Sequence, residues 1–313
     1  MSIEKNLLLK KILVITQVAA ILLLVIIACN NYMHDRQTNH FFYHRFVSSF
    51  REHAVHVSIM VFACLLILLE SGRMGLKLFR QRVHVLLISI LVTGIILLSS
   101  KLVIVFSFFT IIYYLGHIKW AFIVSVIFIA LLIFISPVRA RFSDFIPTDA
   151  HLLHQTSFSS ATYLNGFEFR FLQWSWIPQI IRTDHTWVLG EHPGDAQGTL
   201  DEHYRKLGLY QGDGSSDKGF IGYNTHNTYL EALLQTGIIG LLATLVVIYL
   251  LIVSAIRIRS AAYRIMVMLI FCYSLAESLW ETQSGITLFC LLPLLLGSLI
   301  NHGNQKLTAH SQL

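Results

Sequence analysis

The sequence predicts an all-α polytopic membrane protein with about eight transmembrane helices and one large, mostly helical loop on the outer side of the membrane. Of its 313 residues, 55% are hydrophobic and only 13% are charged, whereas soluble domains carry about 25% charged residues. The apolar residues form runs long enough to cross a membrane, and two of the intervening loops are basic and contain no acid. Membrane orientation therefore explains the net charge of +6, and no nucleic-acid partner is expected.

The predicted spans extend over almost the whole chain. Three lysines precede the first apolar run, which we interpret as an uncleaved span because a polytopic chain follows it. The spans cover residues 12–28, 55–69, 85–115 as two crossings, 120–138, 240–255, 265–279 and 286–300.

The segment 85–115 decides the number of spans. A single helix of this length would measure about 46 Å, well beyond the ~30 Å hydrocarbon core. The basic loops at 72–82 and 257–264 are both expected in the cytoplasm, which places the long polar segment after residue 138 outside. An odd number of crossings must then lie between residues 82 and 139. Because 120–138 supplies one crossing, 85–115 supplies two and turns near Lys101 on the outer face.

This topology divides the chain into four consecutive parts. Residues 1–138 form an N-terminal bundle of about five spans, and residues 227–301 form a C-terminal bundle of about three. Residues 139–226 form the outer loop domain, which is periplasmic in a Gram-negative cell. Residues 302–313 form a cytoplasmic tail, so that both termini lie in the cytoplasm.

The stretch 223–240 begins with polar residues and continues without a break into an apolar span. Thr228 and Glu231 have the spacing of a capping box, whose hydroxyl and carboxylate accept free N–H groups at a helix start. The stretch therefore predicts a helix that begins at the membrane surface, with His226 and Asn227 at its exposed end. Such an end attracts phosphate through its N–H groups and its dipole. The simpler alternative is a capped transmembrane helix whose histidine has no function.

Further charged candidates lie on the same outer side. Arg170 falls on a predicted amphipathic helix that ends at Pro178 or shortly after it. Its guanidinium is either a bidentate phosphate ligand or a solvated surface charge. Lys101 is either a snorkelling turn residue or a cation that meets an anionic headgroup. Glu277 and Glu281 end the seventh span, where a carboxylate can accept a proton, pair with a cation or be solvated.

No pattern in the sequence indicates a metal site or a disulfide. The four cysteines all lie in apolar runs, and His185, His192 and His203 are not spaced as metal ligands. We therefore expect the protein to work without a metal or another cofactor.

Four short motifs follow one another along the chain. They are Ser-Lys at position 100, Phe-Arg-Phe-x-x-Trp at 169, Gly-x-x-Pro-Gly-Asp at 190 and His-Asn-Thr-Tyr-Leu-Glu at 226. In this order they resemble the O-antigen ligase and O-antigen polymerase superfamily of bacterial envelope glycosyltransferases. The resemblance covers roughly residues 53–300 and is most specific at 224–240.

The resemblance implies a multi-pass enzyme of the bacterial inner membrane whose active face is periplasmic. Members of the superfamily take a glycan from undecaprenyl diphosphate and pass it to an acceptor sugar. The expected partners are this lipid-linked donor, a glycan or lipid A–core acceptor, and membrane lipid. Relatives typically carry further spans before the matched region, so a compact or N-terminally short member is expected.

The resemblance also implies roles for individual residues. The family's loop histidine falls on His226, its loop arginine on Arg170, and its arginine between two spans on Lys101, which lacks the bidentate fork. Arg170, Lys101 and Asn227 are then expected to bind the diphosphate. His226 is expected to act as general base on the acceptor hydroxyl or to orient the diphosphate.

Two carboxylates are expected to support this site, those of Glu231 and Glu277. Gln235 stands where many relatives carry an acid. The cations would stabilise the charge that develops on the leaving group, and direct displacement at the anomeric carbon would invert its configuration.

Other functions suit the same residues. Within the superfamily the chain could be a repeat-unit polymerase or a protein O-oligosaccharyltransferase instead of a ligase. A lipid-linked sugar transporter would place ionisable residues near mid-membrane in several spans, whereas the charges here gather at one face. A purely structural membrane protein would leave the common outer location of Lys101, Arg170 and His226 unexplained.

Overall fold

The computed structural model describes residues 3–143, 150–213 and 217–310, and these residues form helices and loops without any strand. The α-helices are α1 Ile3–Asp35, α2 Tyr43–Val47, α3 Ala54–Arg73, α4 Gln81–Leu98, α5 Lys101–Leu115, α6 Ile118–Phe134, α7 Ser136–Ser143, α8 Gly166–Asp184, α9 Ala196–Lys206, α10 Thr228–Arg257, α11 Ala261–Ser274 and α12 Gln283–His310. Short 3₁₀ helices cover Thr38–Phe41, Ser48–Phe50, Ala150–His154 and Leu279–Glu281. The predicted all-α class is thus confirmed for the described residues.

Several of these helices are long and apolar enough to cross a membrane. Four pass this test alone, namely Glu4–Asp35, Ala54–Arg73, Gln81–Leu98 and Thr228–Arg257. A fifth candidate is a pair bent by 87°, Ile118–Leu131 with Ser136–Ser143. Shorter apolar helices cover Lys101–Leu115, Ala261–Ser274 and Gln283–Leu299. The described part of the chain therefore carries the helices expected of a membrane protein.

The chain divides into two compact units. Unit 1 comprises Met1–Phe142, Ile252–Ile270 and Gln283–Leu313, and unit 2 comprises Ser143–Leu251 and Phe271–Thr282. The boundaries predicted at residues 138, 226 and 301 separate membrane from aqueous segments, which is a different kind of division. They stay a prediction.

Unit 1 is built around α3. Phe62, Leu65 and Leu66 on this helix are fully buried, and α3 packs against α1, α4 and α5. Its apolar residues lie on all sides of the helix, which suits a central position.

One buried carboxylate, that of Glu70, connects several helices of unit 1. It accepts hydrogen bonds from the Tyr114 hydroxyl at 2.6 Å and from the Ser260 hydroxyl at 2.8 Å. Lys10 is also buried and interacts electrostatically with Glu70. Because a charged group inside an apolar bundle requires polar partners, these contacts hold α1, α3, α5 and the start of α11 together.

The helix break predicted near Lys101 is present. α4 ends where Ser99 takes a left-handed conformation with φ of 49°, and the Ser99 N–H donates to the carbonyls of Ile95 and Ile96. Ser100 is extended, and α5 begins at Lys101. The location of this turn on the outer face stays a prediction.

In unit 2, α8 is longer than its sequence indicated. Asn165 and Glu168 form a capping box at its start, and the helix continues through Pro178 to Asp184. Proline usually interrupts a helix because it lacks an N–H and crowds the preceding turn. Burial of Ile177 and the last turns in the core of unit 2 offsets that penalty.

The helix α10 is interrupted at Gly237, whose φ of 66° and ψ of −158° are non-helical. A continuous helix would join the Ile238 N–H to the Leu234 carbonyl. Instead, the Ile238 N–H donates to Trp187 at 2.8 Å, and the Leu234 carbonyl accepts from the Glu191 N–H at 2.7 Å. The segment 187–191 therefore replaces one hydrogen bond of the helix with two of its own.

The close contact between the segment 187–191 and α10 requires a glycine in each of the two backbones. An added Cβ on Gly237 would collide with the backbone of Val188, and one on Gly190 would collide with the backbone of Gln235 and Thr236. Gly190 also has a left-handed φ of 72°, which glycine adopts without steric cost. The two glycines allow the two backbones to touch.

We expect Gly237→Ala to destabilise the protein by roughly 3 kcal/mol, because its backbone conformation is almost restricted to glycine and its Cβ has no space. The midpoint of thermal unfolding, followed by far-UV circular dichroism in detergent, measures the loss. The matched control is Gly198→Ala in α9, where a Cβ meets nothing within 4 Å. It should be neutral or stabilise by up to about 1 kcal/mol. Equal effects of the two substitutions would contradict the proposed role of the break.

Candidate functional site

The N-terminal end of α10 is capped by Asn227. Its side-chain oxygen accepts the N–H groups of Tyr229 at 3.0 Å and Leu230 at 3.1 Å, as an N-cap residue does. The prediction of a Thr228-based capping box is therefore wrong by one residue. The Thr228 hydroxyl instead donates to the Glu277 carbonyl at 2.7 Å and accepts from the Leu279 N–H at 3.1 Å. Thr228 thus connects α10 to the segment that follows α11.

His226 lies in a left-handed turn just before this cap. Its φ is 46°, a conformation that is uncommon for residues other than glycine. The turn is closed by a hydrogen bond of 3.1 Å from the His226 N–H to the Asn224 side-chain oxygen. The ring faces that of Tyr223, with centroids 5.8 Å apart. Unusual backbone conformations of this kind often occur at functional sites.

Buried polar side chains hold the loop before His226 in place. Gln173 on α8 donates to the Asn224 carbonyl at 2.6 Å and to the Tyr204 hydroxyl at 2.7 Å. Tyr204 on α9 donates in turn to the Tyr223 carbonyl at 3.1 Å. Gln173 and Tyr204 are fully buried. The helices α8 and α9 therefore fix the position of His226 through the backbone.

Arg170, Glu277 and His226 form one cluster. The Arg170 Nη2 atom donates to Glu277 Oε1 at 3.0 Å, and His226 Nδ1 lies 3.3 Å from Glu277 Oε2. The side chains are 33%, 27% and 21% exposed, so a ligand can reach all three. The structure therefore brings together two of the predicted site residues through the predicted supporting carboxylate. We refer to these three residues as the Arg170 cluster.

Glu231 supports the loop directly. Its Oε2 atom accepts the Thr225 N–H at 3.1 Å, and its Oε1 atom accepts from the Gln235 amide at 2.7 Å. The same amide donates to Glu281 at 3.1 Å, while the Asn224 amide donates to the other Glu281 oxygen. From the sequence, Glu281 was expected to accept a proton, pair with a cation or be solvated, and no local pattern shows that it shares partners with Glu231.

The pKa of Glu281 is raised to about 7 by partial burial, and the adjacent Glu231 carboxylate adds to the rise. Two carboxylates side by side cannot both ionise without repulsion. Glu281 therefore exchanges its proton close to neutral pH.

Two further predicted site residues, Asn227 and Lys101, are not members of the Arg170 cluster. The Asn227 side chain is buried, caps α10 and donates from its Nδ2 atom to the Leu275 carbonyl at 3.2 Å. Its expected contact with a diphosphate stays a prediction. Lys101 begins α5 in unit 1, and its expected role in diphosphate binding also stays a prediction.

Within residues 3–143, 150–213 and 217–310, no group of three or more His, Cys, Asp or Glu side chains is arranged to hold a metal ion. No family model, curated protein or solved structure matches this chain. The chemistry of the Arg170 cluster and the motif resemblance are therefore the two grounds for assigning a function.

Substitution of Glu281 by glutamine should change the pH dependence of stability. The native pKa of Glu281 is raised from 4.5 to about 7, so the stability this group contributes is complete below pH 4.5 and is lost as the pH rises through 7. Wild type and Glu281→Gln should therefore unfold at the same temperature at pH 4.5, and the variant should unfold at a higher temperature at pH 8. The measurement is thermal unfolding across this pH range. A constant difference at all pH values would rule out the titration of Glu281.

Proposed function

We propose that this chain is a membrane glycosyltransferase. It transfers a glycan from undecaprenyl diphosphate to an acceptor sugar on the periplasmic face of the bacterial inner membrane, in the manner of an O-antigen ligase. The observation that carries the proposal is the Arg170 cluster, in which Glu277 contacts both a guanidinium and an imidazole. The motif resemblance supplies the class of donor.

Arg170 supplies the positive charge for the diphosphate. Only its Nη2 atom contacts Glu277 in the described structure, and a guanidinium has five N–H donors. The remaining donors suit phosphate oxygens, which guanidinium groups bind in bidentate fashion. Charge develops on the diphosphate as the anomeric bond breaks, so a fixed cation there stabilises the transition state more than the ground state.

His226 supplies the base. When Nδ1 carries the ring proton and donates to Glu277, the Nε2 atom is the basic nitrogen. It can then take the proton of the acceptor hydroxyl as that oxygen attacks the anomeric carbon. Glu277 orients the ring and stabilises the imidazolium that forms, as the carboxylate of a hydrolase triad does. Because the acceptor oxygen displaces the diphosphate directly, the configuration at the anomeric carbon inverts.

The proposed topology has eight crossings with both termini in the cytoplasm. It counts the four long apolar helices, the bent pair as one span, and the three shorter apolar helices. The polar segment between α6 and α10 then lies in the periplasm, on the same side as the Arg170 cluster. Lys101 assists with the diphosphate in this proposal, as the motif resemblance implies.

The test is glycan transfer by His226→Ala and Arg170→Ala. In an assay with purified protein and lipid-linked glycan, we expect kcat to fall by about 10²–10⁴-fold for His226→Ala, the usual contribution of a general base. His185→Ala is the matched control, since His185 also has a left-handed φ of 58° but is exposed at the end of α8. Arg182→Ala is the control for Arg170→Ala, because Arg182 lies exposed on the same helix. Unchanged transfer by folded His226→Ala protein would refute the proposal.

Cells that carry His226→Ala distinguish a ligase from a polymerase. Loss of surface glycan with long chains still attached to the lipid carrier identifies a ligase. Accumulation of single repeat units on the carrier identifies a polymerase. Product with retained anomeric configuration would exclude the direct displacement in either case.

Glu277→Gln separates the positioning role of this residue from catalysis by His226. The substitution preserves shape but removes the charge that stabilises the imidazolium. We expect a smaller loss of kcat than for His226→Ala, with KM changed by less than about threefold. Unchanged kcat, or a loss as large as that of His226→Ala, would contradict the assigned role.

A further inference from the structure

Unit 2 exposes three consecutive large apolar side chains in the segment that interrupts α10. Trp187, Val188 and Leu189 are 44%, 60% and 72% exposed. Exposed apolar residues are usually scattered singly over a protein surface, so a run of three points to a partner. The residues that flank the run, Thr186 and Gly190, carry no charge. We call these three apolar residues the 187–189 tip.

Backbone contacts fix the 187–189 tip at one level of α10. The Trp187 carbonyl accepts the Ile238 N–H at 2.8 Å, and the backbone of Val188 lies directly against Gly237. Because these contacts use backbone atoms, the three side chains of the tip stay exposed. The tip therefore marks the position of Gly237 along the helix.

The surface of α10 changes at the same position. In the first part of the helix, residues 228–236, no large apolar side chain is exposed. In the second part, Ile238, Ile239 and Leu242 are 41%, 57% and 54% exposed, and further exposed apolar residues follow them. Only 17% of the most apolar 18-residue window of α10 is buried within the protein. The second part of α10 thus has the surface of a lipid-exposed helix, and it begins where the tip is attached.

The length of the second part supports the same boundary. From Ile238 to Arg257 the helix measures about 30 Å at 1.5 Å per residue, which is the thickness of the hydrocarbon core. Arg257 begins the basic loop, and a charged side chain is costly inside the core. A bilayer that ends at Arg257 on one side therefore ends near Gly237 on the other side.

We propose that the 187–189 tip inserts into the bilayer at the boundary between headgroups and acyl chains, beside the end of the α10 span. Val188 and Leu189 contact acyl chains. The indole of Trp187 suits this boundary because it is apolar but carries an N–H donor. Lipid covers the tip because the tip is continuous with the lipid-exposed part of α10. Three residues are also far fewer than the roughly 20–30 that a stable protein interface uses on each side.

The insertion holds the N-terminal end of α10 close to the membrane surface. Residues 228–236 extend the helix by at most about 14 Å beyond Gly237. The headgroup layer is roughly 5–7 Å thick, so the loop that carries His226 is kept at or just above the headgroups. The insertion itself does not depend on the proposed transferase activity.

Depth-dependent fluorescence quenching tests the insertion. Leu189→Cys carries an NBD fluorophore in a full chain whose four native cysteines are replaced by alanine, reconstituted in phosphatidylcholine vesicles. The lipids carry a doxyl quencher on the fifth or the twelfth acyl carbon. We expect the fifth-carbon quencher to remove about twofold more fluorescence than the twelfth-carbon quencher, because the tip lies at the edge of the hydrocarbon core.

Two labelled controls calibrate the depth. Val246→Cys places the label on the exposed apolar face of α10, about 14 Å beyond Gly237 and near the middle of the core. There the twelfth-carbon quencher should be the stronger one. Glu202→Cys places the label on α9, where no large apolar side chain is exposed, and neither lipid quencher should affect it.

Aqueous iodide separates the remaining outcomes. It should quench the label at position 189 less than half as strongly as the label at position 202. Equal iodide quenching at both positions would overturn the proposal, because the tip would then lie in water. Protection from iodide and from both lipid quenchers would also overturn it, because protein would then cover the tip. Val188→Cys repeats the measurement at a second exposed position of the tip, so the result does not depend on one variant.

Discussion

The N-terminal end of α10 depends on hydrogen bonds from residues outside that helix. Thr228 binds the backbone of the segment after α11, and Glu231 accepts an N–H group from the preceding loop. A helix start leaves its first N–H groups without partners. Asn227 accepts those of Tyr229 and Leu230, and the bonds of Thr228 and Glu231 immobilise the start of the helix. They also bring Glu277 to His226, which is 51 residues away in the chain.

Unit 2 therefore carries one group of cationic side chains and one pair of carboxylates. The Arg170 cluster offers a guanidinium and an imidazole, which suit an anion. Glu231 and Glu281 offer carboxylates without a cationic partner among the described residues. Asn224 links Glu281 to the loop that carries His226, and Glu231 accepts the Thr225 N–H of the same loop.

The sequence was sufficient for features that depend on local pattern. Apolar runs indicated the helices, and Ser-Lys at position 100 indicated the break between α4 and α5. The position of the α10 cap was missed because Asn227 and Thr228 both suit an N-cap, and the contact with Glu277 decides between them. Glu277 was identified as a possible partner for a cation, but its choice of Arg170 spans 107 residues. No periodicity or propensity contains information about such a pair.

The kink of α10 originates in contacts with another segment of the chain. Gly237 lies between two helical stretches of α10, and the two exchanged hydrogen bonds come from the segment 187–191. The same α10 sequence, taken alone as a peptide in a bilayer, would close its own hydrogen bond and form a straight rod. The kink is thus assembled during tertiary folding. Because 187–191 precedes α10 in the chain, the segment has already been synthesised when the ribosome adds the helix that it bends.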